Sequence, residues 1–358
     1  LVEMIAQSEK PMLICGGGVV RSRAHEEFRA FARRIDSPCA ITVMGGGGVA
    51  GRDPLATGMI GMHGSVASNM AVDNCDLLIA VGCRFSDRVA LKPDTFARQA
   101  RIVHIDIDRA EINKNVQTDH HIVGDAKQVL RLLLERVPQY EHKAWKDYVF
   151  SFPTETGYTE TPSSLTPKQV LSTIVRRFPQ DSIVATDVGQ HQMWSIQHLH
   201  FDYPGQLLTS GGFGAMGFGL GAAIGNPDKT VIHITGDGCF RMNGNELATE
   251  EFYKLPVITF IFNNGNLGMV RQWQNLTCDK RFSETALNRG PDFVKYTQSF
   301  GLGARRASNP QELEDAITEA LRENEQGRGF VIECSIDADE MVHPMVNGGH
   351  HITEFLLN

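Results

Sequence analysis

Val231-Ile232-His233-Ile234-Thr235, Gly236-Asp237-Gly238, then, beyond an intervening segment, Pro256-Val257-Ile258-Thr259-Phe260-Ile261-Phe262 closed by Asn263-Asn264-Gly265-Asn266: this stretch decides the fold. Two apolar runs of strand length flank Met242 to Leu255, which reads as a helix of about four turns. The order is strand, acidic turn, helix, strand, amide turn. In a right-handed βαβ unit the two strands run parallel, so both turns emerge at the same edge of the sheet. Asp237 and Asn264, 27 positions apart (237 to 264), are therefore expected side by side.

That pairing has a chemical meaning. A carboxylate, a side-chain amide oxygen and an open backbone carbonyl make a hard, oxygen-only, incomplete shell, which suits Mg²⁺ when phosphate oxygens supply the rest. Either turn alone is ordinary, because Gly, Asp and Asn all tolerate left-handed backbone. Gly-Asp-Gly, 24 residues (239 to 262), then Asn-Asn, with strand–helix–strand between, is far more specific.

Outward from this unit, composition sets the bounds. The chain has 358 residues, 42% hydrophobic and 21% charged, enough for two domains with separate cores. A net charge of −8 argues against a nucleic-acid surface, which needs clustered Lys and Arg. No apolar stretch reaches the roughly 18 residues that span a membrane. Seven cysteines, at 15, 39, 75, 83, 239, 278 and 334, form no C-x-x-C pair. Buried free thiols and a cytoplasmic location are the expectation. The opening Leu1-Val2-Glu3-Met4-Ile5-Ala6 reads as mid-helix, neither an initiator nor a signal peptide, and suggests a fragment.

The first half, 1–148, alternates strands and helices. Pro11 to Cys15 runs into Gly16-Gly17-Gly18, and Ala24 to Ile35 has helical spacing. Cys39 to Val43, Leu77 to Val81, Ile102 to Ile107 and His121 to Val123 read as further strands, and a helix carries Ala126, Val129, Leu130, Leu133 and Val137 on one stripe. The fold class is α/β: an open, mostly parallel sheet with helices on both faces. The strand ends suit a dinucleotide. Gly16 to Gly18 permits close approach of a pyrophosphate, Asp106 and Asp125 end strands as ribose acceptors would, and Arg84 and Arg88 suit phosphate or an internal pair with Asp87. Helix caps and surface ion pairs explain each of these equally well. Residues 149–165, rich in Pro, Ser, Thr and Glu, read as a linker.

The second half, 166–358, repeats the class. Thr166-Pro167 sets an N-cap and first helical residue. Ser182 to Ala185 reads as a strand ending at Thr186-Asp187-Val188-Gly189-Gln190-His191. The run Thr209 to Ala223 is dense in Gly, which means close backbone contact with a ligand or another helix. Ser308-Asn309-Pro310-Gln311 reads as a capping box with Gln311 as its third helical residue, opening a helix through Leu321. Gly329 to Ile336 is the last strand.

Taken in order, the halves resemble the central and C-terminal domains of acetohydroxyacid (acetolactate) synthase catalytic subunits, a family of thiamine-diphosphate-dependent enzymes. The sharpest matches are Gly189-Gln190-His191-Gln192-Met193-Trp194, Thr209-Ser210-Gly211-Gly212, Met216-Gly217, the Gly236…Asn264 unit and Leu267-Gly268-Met269-Val270-Arg271-Gln272-Trp273. Gly61-Met62-His63-Gly64, Arg84 to Val89 and His104 to Asp108 add a flavin-domain pattern. The resemblance implies thiamine diphosphate, Mg²⁺ and FAD as cofactors. Asp237 and Asn264 would hold the metal by side-chain oxygens and Asn266 by its main-chain carbonyl. Gln190, His191, Gly238 and Cys239 would contact the diphosphate, and Leu267, Gly268 and Met269 are further cofactor-binding positions. Gly214 would lie against the aminopyrimidine. Met216 and Trp273 are the implied catalytic residues: Met216 would wedge beneath the cofactor and hold its bent form, and Trp273 would shape the acceptor pocket and favour 2-ketobutyrate.

On the flavin side the matched positions are Gly17, Thr42, Val43, Ile60, Gly61, Met62, His63, Gly82, Cys83, Arg84, Phe85, Ser86, Asp106, Ile107, Asp125 and Ala126. The flavin is implied to be structural, since carboligation has no net redox step. The implied reaction decarboxylates pyruvate and joins the remainder to a second 2-keto acid, pyruvate or 2-ketobutyrate. The implied assembly is a dimer or tetramer with a possible regulatory small subunit, and no nucleic acid or membrane. Two departures stand out. Gly221 replaces a usual Pro, and the N-terminal domain with its pyrimidine-protonating glutamate is absent, so the chain alone is expected to be inactive. Glyoxylate carboligase, pyruvate oxidase and a non-catalytic nucleotide-binding module are the competing readings.

Overall fold

The computed structural model describes residues 1–153, 165–223, 225, 229–287 and 289–356. The expected linker 149–165 falls mostly outside them. Its described residues include the end of the helix Lys143–Val149 and Leu165, which bridges to Ile336.

The chain forms two compact units. The first is Leu1–Gly157 with His200–Gly205 and His343–Asn358; the second is Tyr158–Leu199 with Gln206–Val342. The linear division at 148 and 166 therefore differs from this partition at two segments, 200–205 and 343–358.

In the first unit six strands, β1 (Pro11–Cys15), β2 (Cys39–Ile41), β3 (Ala56–Met59), β4 (Leu77–Val81), β5 (Arg101–Asp106) and β6 (His120–Val123), form one sheet in the order β3-β2-β1-β4-β5-β6. Every neighbouring pair is parallel. β1 and β4 are buried at every position, as strands covered on both faces must be. The strand order reverses between β1 and β4, and there the backbones touch. An added Cβ at Gly16 would overlap the carbonyl of Gly82, and one at Gly82, whose φ is +59°, would overlap Gly18. Only glycine satisfies both the contact and the left-handed backbone.

Two remote segments complete this unit. Arg29 donates to the carbonyls of Gly47 (2.8 Å), Gly48 (3.1 Å) and Asp202 (2.5 Å), fastening 200–205 to the loop after β2. In the tail, Val346 N–H donates to Met62 (2.8 Å), Gly349 N–H to Leu91 (3.0 Å) and Asn69 Nδ2 to Ile352 (3.1 Å). A small antiparallel pair, β7 (Met345–Val346) with β8 (Phe355–Leu356), closes it. These late segments carry their own polar chemistry, so no boundary signal marks them in sequence.

In the second unit β9 (Ile183–Thr186), β10 (Leu207–Thr209), β11 (Val231–Gly236), β12 (Val257–Asn263), β13 (Gly303–Ala307) and β14 (Phe330–Ser335) form the sheet β13-β14-β12-β11-β9-β10, again all parallel. Thr166 caps the helix Pro167–Arg177 in a full capping box with Gln169. Two local expectations are corrected. The segment after β11 is not a helix beginning at Met242. It starts at once with Asp237–Asn243, passes through a 3₁₀ turn at Gly244–Glu246 and resumes as Leu247–Tyr253. Asn243, Gly244 and Asn245 break the ladder that apolar spacing alone would carry through. In the helix Pro310–Glu325 the reciprocal cap runs through Glu312, which donates to Asn309 and accepts from Ser308 N–H, so the third helical residue is Glu312 and not Gln311.

Candidate active site

The second sheet reverses its winding between β9 and β11, and the carboxyl ends of strands at such a point form a crevice. The matched second-half residues follow the strands of this edge. β11 and β12 pair with Gly236 opposite Phe262, so the Gly-Asp-Gly and Asn-Asn turns leave side by side.

Asp237 opens its helix and is 1% exposed. Burial raises its pKa to about 6, against the Arg241 charge and the N–H groups of Gly238, Asp237 itself and Gly265, which pull it down. Its Oδ2 has no hydrogen-bond partner among the described residues. A buried carboxylate oxygen left unpaired is costly, and a cation is what such an oxygen lacks. In the facing turn, Asn264 Oδ1 accepts from Asn266 N–H (3.0 Å), Asn266 Nδ2 donates to the Asn264 carbonyl (2.8 Å), and Gly265 takes φ +66°. The donor set is oxygen-rich and preformed, and it fits Mg²⁺.

Gln190 ties this turn to its surroundings. Its Oε1 accepts from Asn264 Nδ2 (3.3 Å), and its Nε2 donates to Gln272 Oε1 (2.9 Å) and the Glu340 carbonyl (2.8 Å). Gln272 in turn accepts from Val342 N–H at 2.9 Å. Gly268 lies against this amide network, where an added Cβ would overlap Gln190 Oε1. His191 packs its ring on Gly189 and Gly236. Burial pushes its pKa down to about 4, so the imidazole is neutral at neutral pH, and its buried Nε2 has no partner among the described residues. Cys239 is buried, donates to the Val188 carbonyl at 3.2 Å and is pushed up to about 12 by burial, so it remains a thiol.

An added Cβ at Gly238 would meet Leu267 at 2.8 Å and Met216 Cε at 3.7 Å, which places Met216 and Leu267 over the acidic turn. In the Gly-rich run, Gly217 and Gly219 press on protein, on Asn243 and His233 respectively. Among the described residues, an added Cβ at Gly212 would meet nothing within 4 Å, and one at Gly214, at φ +67°, would meet Val188 at 3.9 Å. Trp273 and Met269 lie half-buried on the helix Gly268–Thr277, which is not the burial of core residues.

Sequence reasoning missed Asp187. It follows β9 at the reversal point, is 1% exposed, and accepts from Gly219 N–H (2.7 Å), Thr235 Oγ1 (2.5 Å) and His233 Nε2 (3.3 Å). Burial alone would raise its pKa. The hydrogen bond and charge of His233, with the Thr235 and Gly219 donors, outweigh that and hold it at about 2. One anionic side chain thus joins the Gly-rich run, the end of β11 and its own turn.

In the first unit the flavin-matched residues also lie along one carboxyl edge. Gly17, Thr42–Val43, Ile60–His63, Gly82–Ser86, Asp106–Ile107 and Asp125–Ala126 follow β1, β2, β3, β4, β5 and β6 in turn. They are not equivalent. Phe85 buries its side chain edge-on against Phe96 and His104. Asp125 caps its helix by accepting from Gln128 N–H (3.1 Å), and Arg88 pairs with Asp87 at 2.7 Å. Asp106 accepts from Asp108 N–H at 2.9 Å. Burial raises its pKa, and His104 with the Asp108 and Ile107 N–H groups outweighs that to hold it low. Ile107 is 69% exposed.

Residues 1–133 match the family model described as "Thiamine pyrophosphate enzyme, central domain", and residues 187–334 match "Thiamine pyrophosphate enzyme, C-terminal TPP binding domain". The chain belongs to the thiamine pyrophosphate enzymes. Within that class it is similar to acetolactate synthase large subunits. It is 42% identical to a probable acetolactate synthase large subunit of Methanocaldococcus jannaschii over 99% of this chain and 62% of the relative. It is 43% identical to the acetolactate synthase large subunit of Corynebacterium glutamicum over 97% and 58%, and 40% identical to the isozyme 2 large subunit of Escherichia coli over 99% and 65%. The chain thus spans about three fifths of the length of the curated relatives it matches. Among the described residues no helix is long and apolar enough to cross a membrane.

Proposed function

We propose that this chain serves an acetolactate synthase, which decarboxylates pyruvate and joins the remainder to pyruvate or 2-ketobutyrate, a transferase step of branched-chain amino-acid biosynthesis. The observation that carries the reading is Asp237 Oδ2, a buried and unpartnered carboxylate oxygen facing a preformed asparagine turn at the winding reversal. Thiamine diphosphate, when bound, supplies a nucleophilic carbon that adds to the 2-keto acid and lets CO₂ leave. The chain's own residues bind and orient.

Asp237, the Asn264 side chain and the Asn266 carbonyl hold Mg²⁺. Gln190, His191, Gly238, Cys239 and the Leu267–Met269 backbone receive the diphosphate, and the neutral His191 offers an N–H without adding charge. Gly214 faces the aminopyrimidine, and Met216 supports the cofactor from beneath. Trp273 shapes the acceptor pocket, where one methylene is worth about 1–3 kcal/mol. The first-unit edge, from Gly17 to Ala126, receives FAD in a structural role. The functional division follows the sequence, 1–148 for the flavin and 166–358 for thiamine diphosphate. The partners are a second copy of the chain and, as the relatives' name of large subunit suggests, a small regulatory subunit. The location is cytoplasmic.

Calorimetric titration of thiamine diphosphate with and without Mg²⁺ tests the reading. Binding that requires the metal and is lost in Asp237→Ala, with the fold intact by circular dichroism, is expected. No binding by the unaltered chain, or binding indifferent to Asp237→Ala, overturns it.

A further inference from the structure

β14 holds an anomaly. Its residues Phe330-Val331-Ile332-Glu333-Cys334-Ser335 lie inside the sheet, between β12 and β13, and all but the last are buried. Glu333 is 3% exposed in a strand where an apolar residue would pack as well. Burying a carboxylate is expensive, and a buried ion pair seldom stabilises a fold beyond what hydrophobic side chains of the same volume achieve. Stability alone does not account for Glu333.

Its contacts do. In register, Glu333 lies opposite Ile261 on β12 and Arg306 on β13. Its Oε2 accepts from Arg306 Nε and Nη2, both at 3.0 Å. Its Oε1 accepts from Asn263 Nδ2 at 2.7 Å. Asn263 lies two residues beyond Ile261, so the two share a face of the sheet. With its amide nitrogen so held, Asn263 turns Oδ1 toward Gly265 N–H, which it accepts at 3.0 Å. Gly265 N–H is also one of the groups that lower the Asp237 pKa. The amide orientation is fixed, because only a nitrogen facing the carboxylate leaves an oxygen for Gly265.

We infer that Glu333, anchored by Arg306, is a positioning residue that sets the Asn263–Asn266 turn through Asn263 and so preorganises the metal-binding face. The inference rests on the proposed metal role of Asp237, Asn264 and Asn266 for its functional consequence. The ordering of the turn stands independently of it. A polar side chain that orients a ligand-bearing loop from behind typically governs metal affinity by 10–100-fold.

The test uses Asn263→Ala, Glu333→Met and the double variant, with Glu333→Met/Arg306→Met guarding against an unpaired buried guanidinium. Amide hydrogen exchange of the unliganded chain is the first readout. Exchange at Gly265 and Asn266 should quicken about tenfold in each single variant, with β11 and β12 amides unchanged. Mn²⁺ affinity in the presence of thiamine diphosphate, read from the free-ion electron paramagnetic signal, is the second. Each single variant should weaken it roughly tenfold, and the double Asn263/Glu333 variant no further, because both cut one relay. Unchanged exchange at Gly265, or additive losses in the double variant, overturns the inference. Quickened exchange together with no Mn²⁺ binding by the unaltered chain upholds the relay and overturns the proposed function instead.

Discussion

Asp187 and Glu250 are both buried carboxyls, 1% and 0% exposed, whose surroundings push their pKa values in opposite directions. Asp187 has three donors and a pKa held at about 2, so it is an anion. Neither oxygen of Glu250 has a partner among the described residues, and burial alone raises its pKa well above the usual value. The pH signs follow. The Asp187 contribution is present above pH 3.8 and is lost as pH falls through about 2. Glu250 binds a proton more tightly folded than unfolded, so its effect on stability worsens as pH rises above 4.5. Asp187→Ala should cost about 1–3 kcal/mol or more in urea unfolding at pH 7, the usual penalty for leaving a buried donor unpaired. Glu250→Gln should be the more stable form at pH 8 and lose that advantage by pH 4; an advantage independent of pH would sink this. His191 adds an acid-side term, because its folded pKa of about 4 lies below the 6.5 of the free ring. His191→Gln should therefore flatten the fall in stability between pH 6.5 and 4, on the order of 3 kcal/mol at 1.36 kcal/mol per pKa unit. That Asp237 and Asn264 leave the same sheet edge was legible in the sequence, because two apolar runs joined by a helix-length segment imply parallel strands. Asp187 was not, since it looks like any strand-end turn residue and its partners His233 and Thr235 sit inside a run that reads as strand.

At the scale of elements, apolar runs and glycine punctuation located β1, β4, β11, β12 and β14 well, because buried parallel strands leave no other reading. They missed β3, β10 and β13, and the short pair β7 and β8. β3 and β10 are three or four residues long and neither is wholly buried, so their apolar content is no guide. Gly303–Ala307 carries two arginines, one of them answering Glu333 across the sheet, a contact no local pattern announces. The helix Gly268–Thr277 shows what a backbone contact demands. Gly268→Ala places a methyl on Gln190 Oε1 and must displace the amide that holds Asn264. Such crowding costs typically 1–3 kcal/mol. Denaturant unfolding should show that loss, and metal-dependent ligand binding should weaken with it. Val270→Ala, at an exposed position on the same helix, should alter neither.

Across the whole molecule, six of the seven cysteines are buried and Cys278 is partly exposed, with all seven free. Burial raises the pKa of Cys15, Cys75, Cys83, Cys239 and Cys334, which removes the reactive thiolate. A thiol reagent should therefore modify about one cysteine per native chain within minutes, Cys278, and all seven in denaturant. Rapid modification of two or more native thiols would contradict the packing of these strands. The two-sheet organisation was visible in sequence, because each half repeats the alternation of strands and helices. The non-contiguous membership of the first unit was not. The carbonyls of Met62 and Leu91 are met by Val346 and Gly349, and Asn69 by Ile352, so early loops wait for partners more than 250 positions later. During synthesis, where segments emerge at about 5–20 residues per second, β1 to β6 can pair long before those partners exist. The earlier-made of the two units is thus finished late, and its loops at 60–64 and 88–91 lack these partners until residues 346–352 are made.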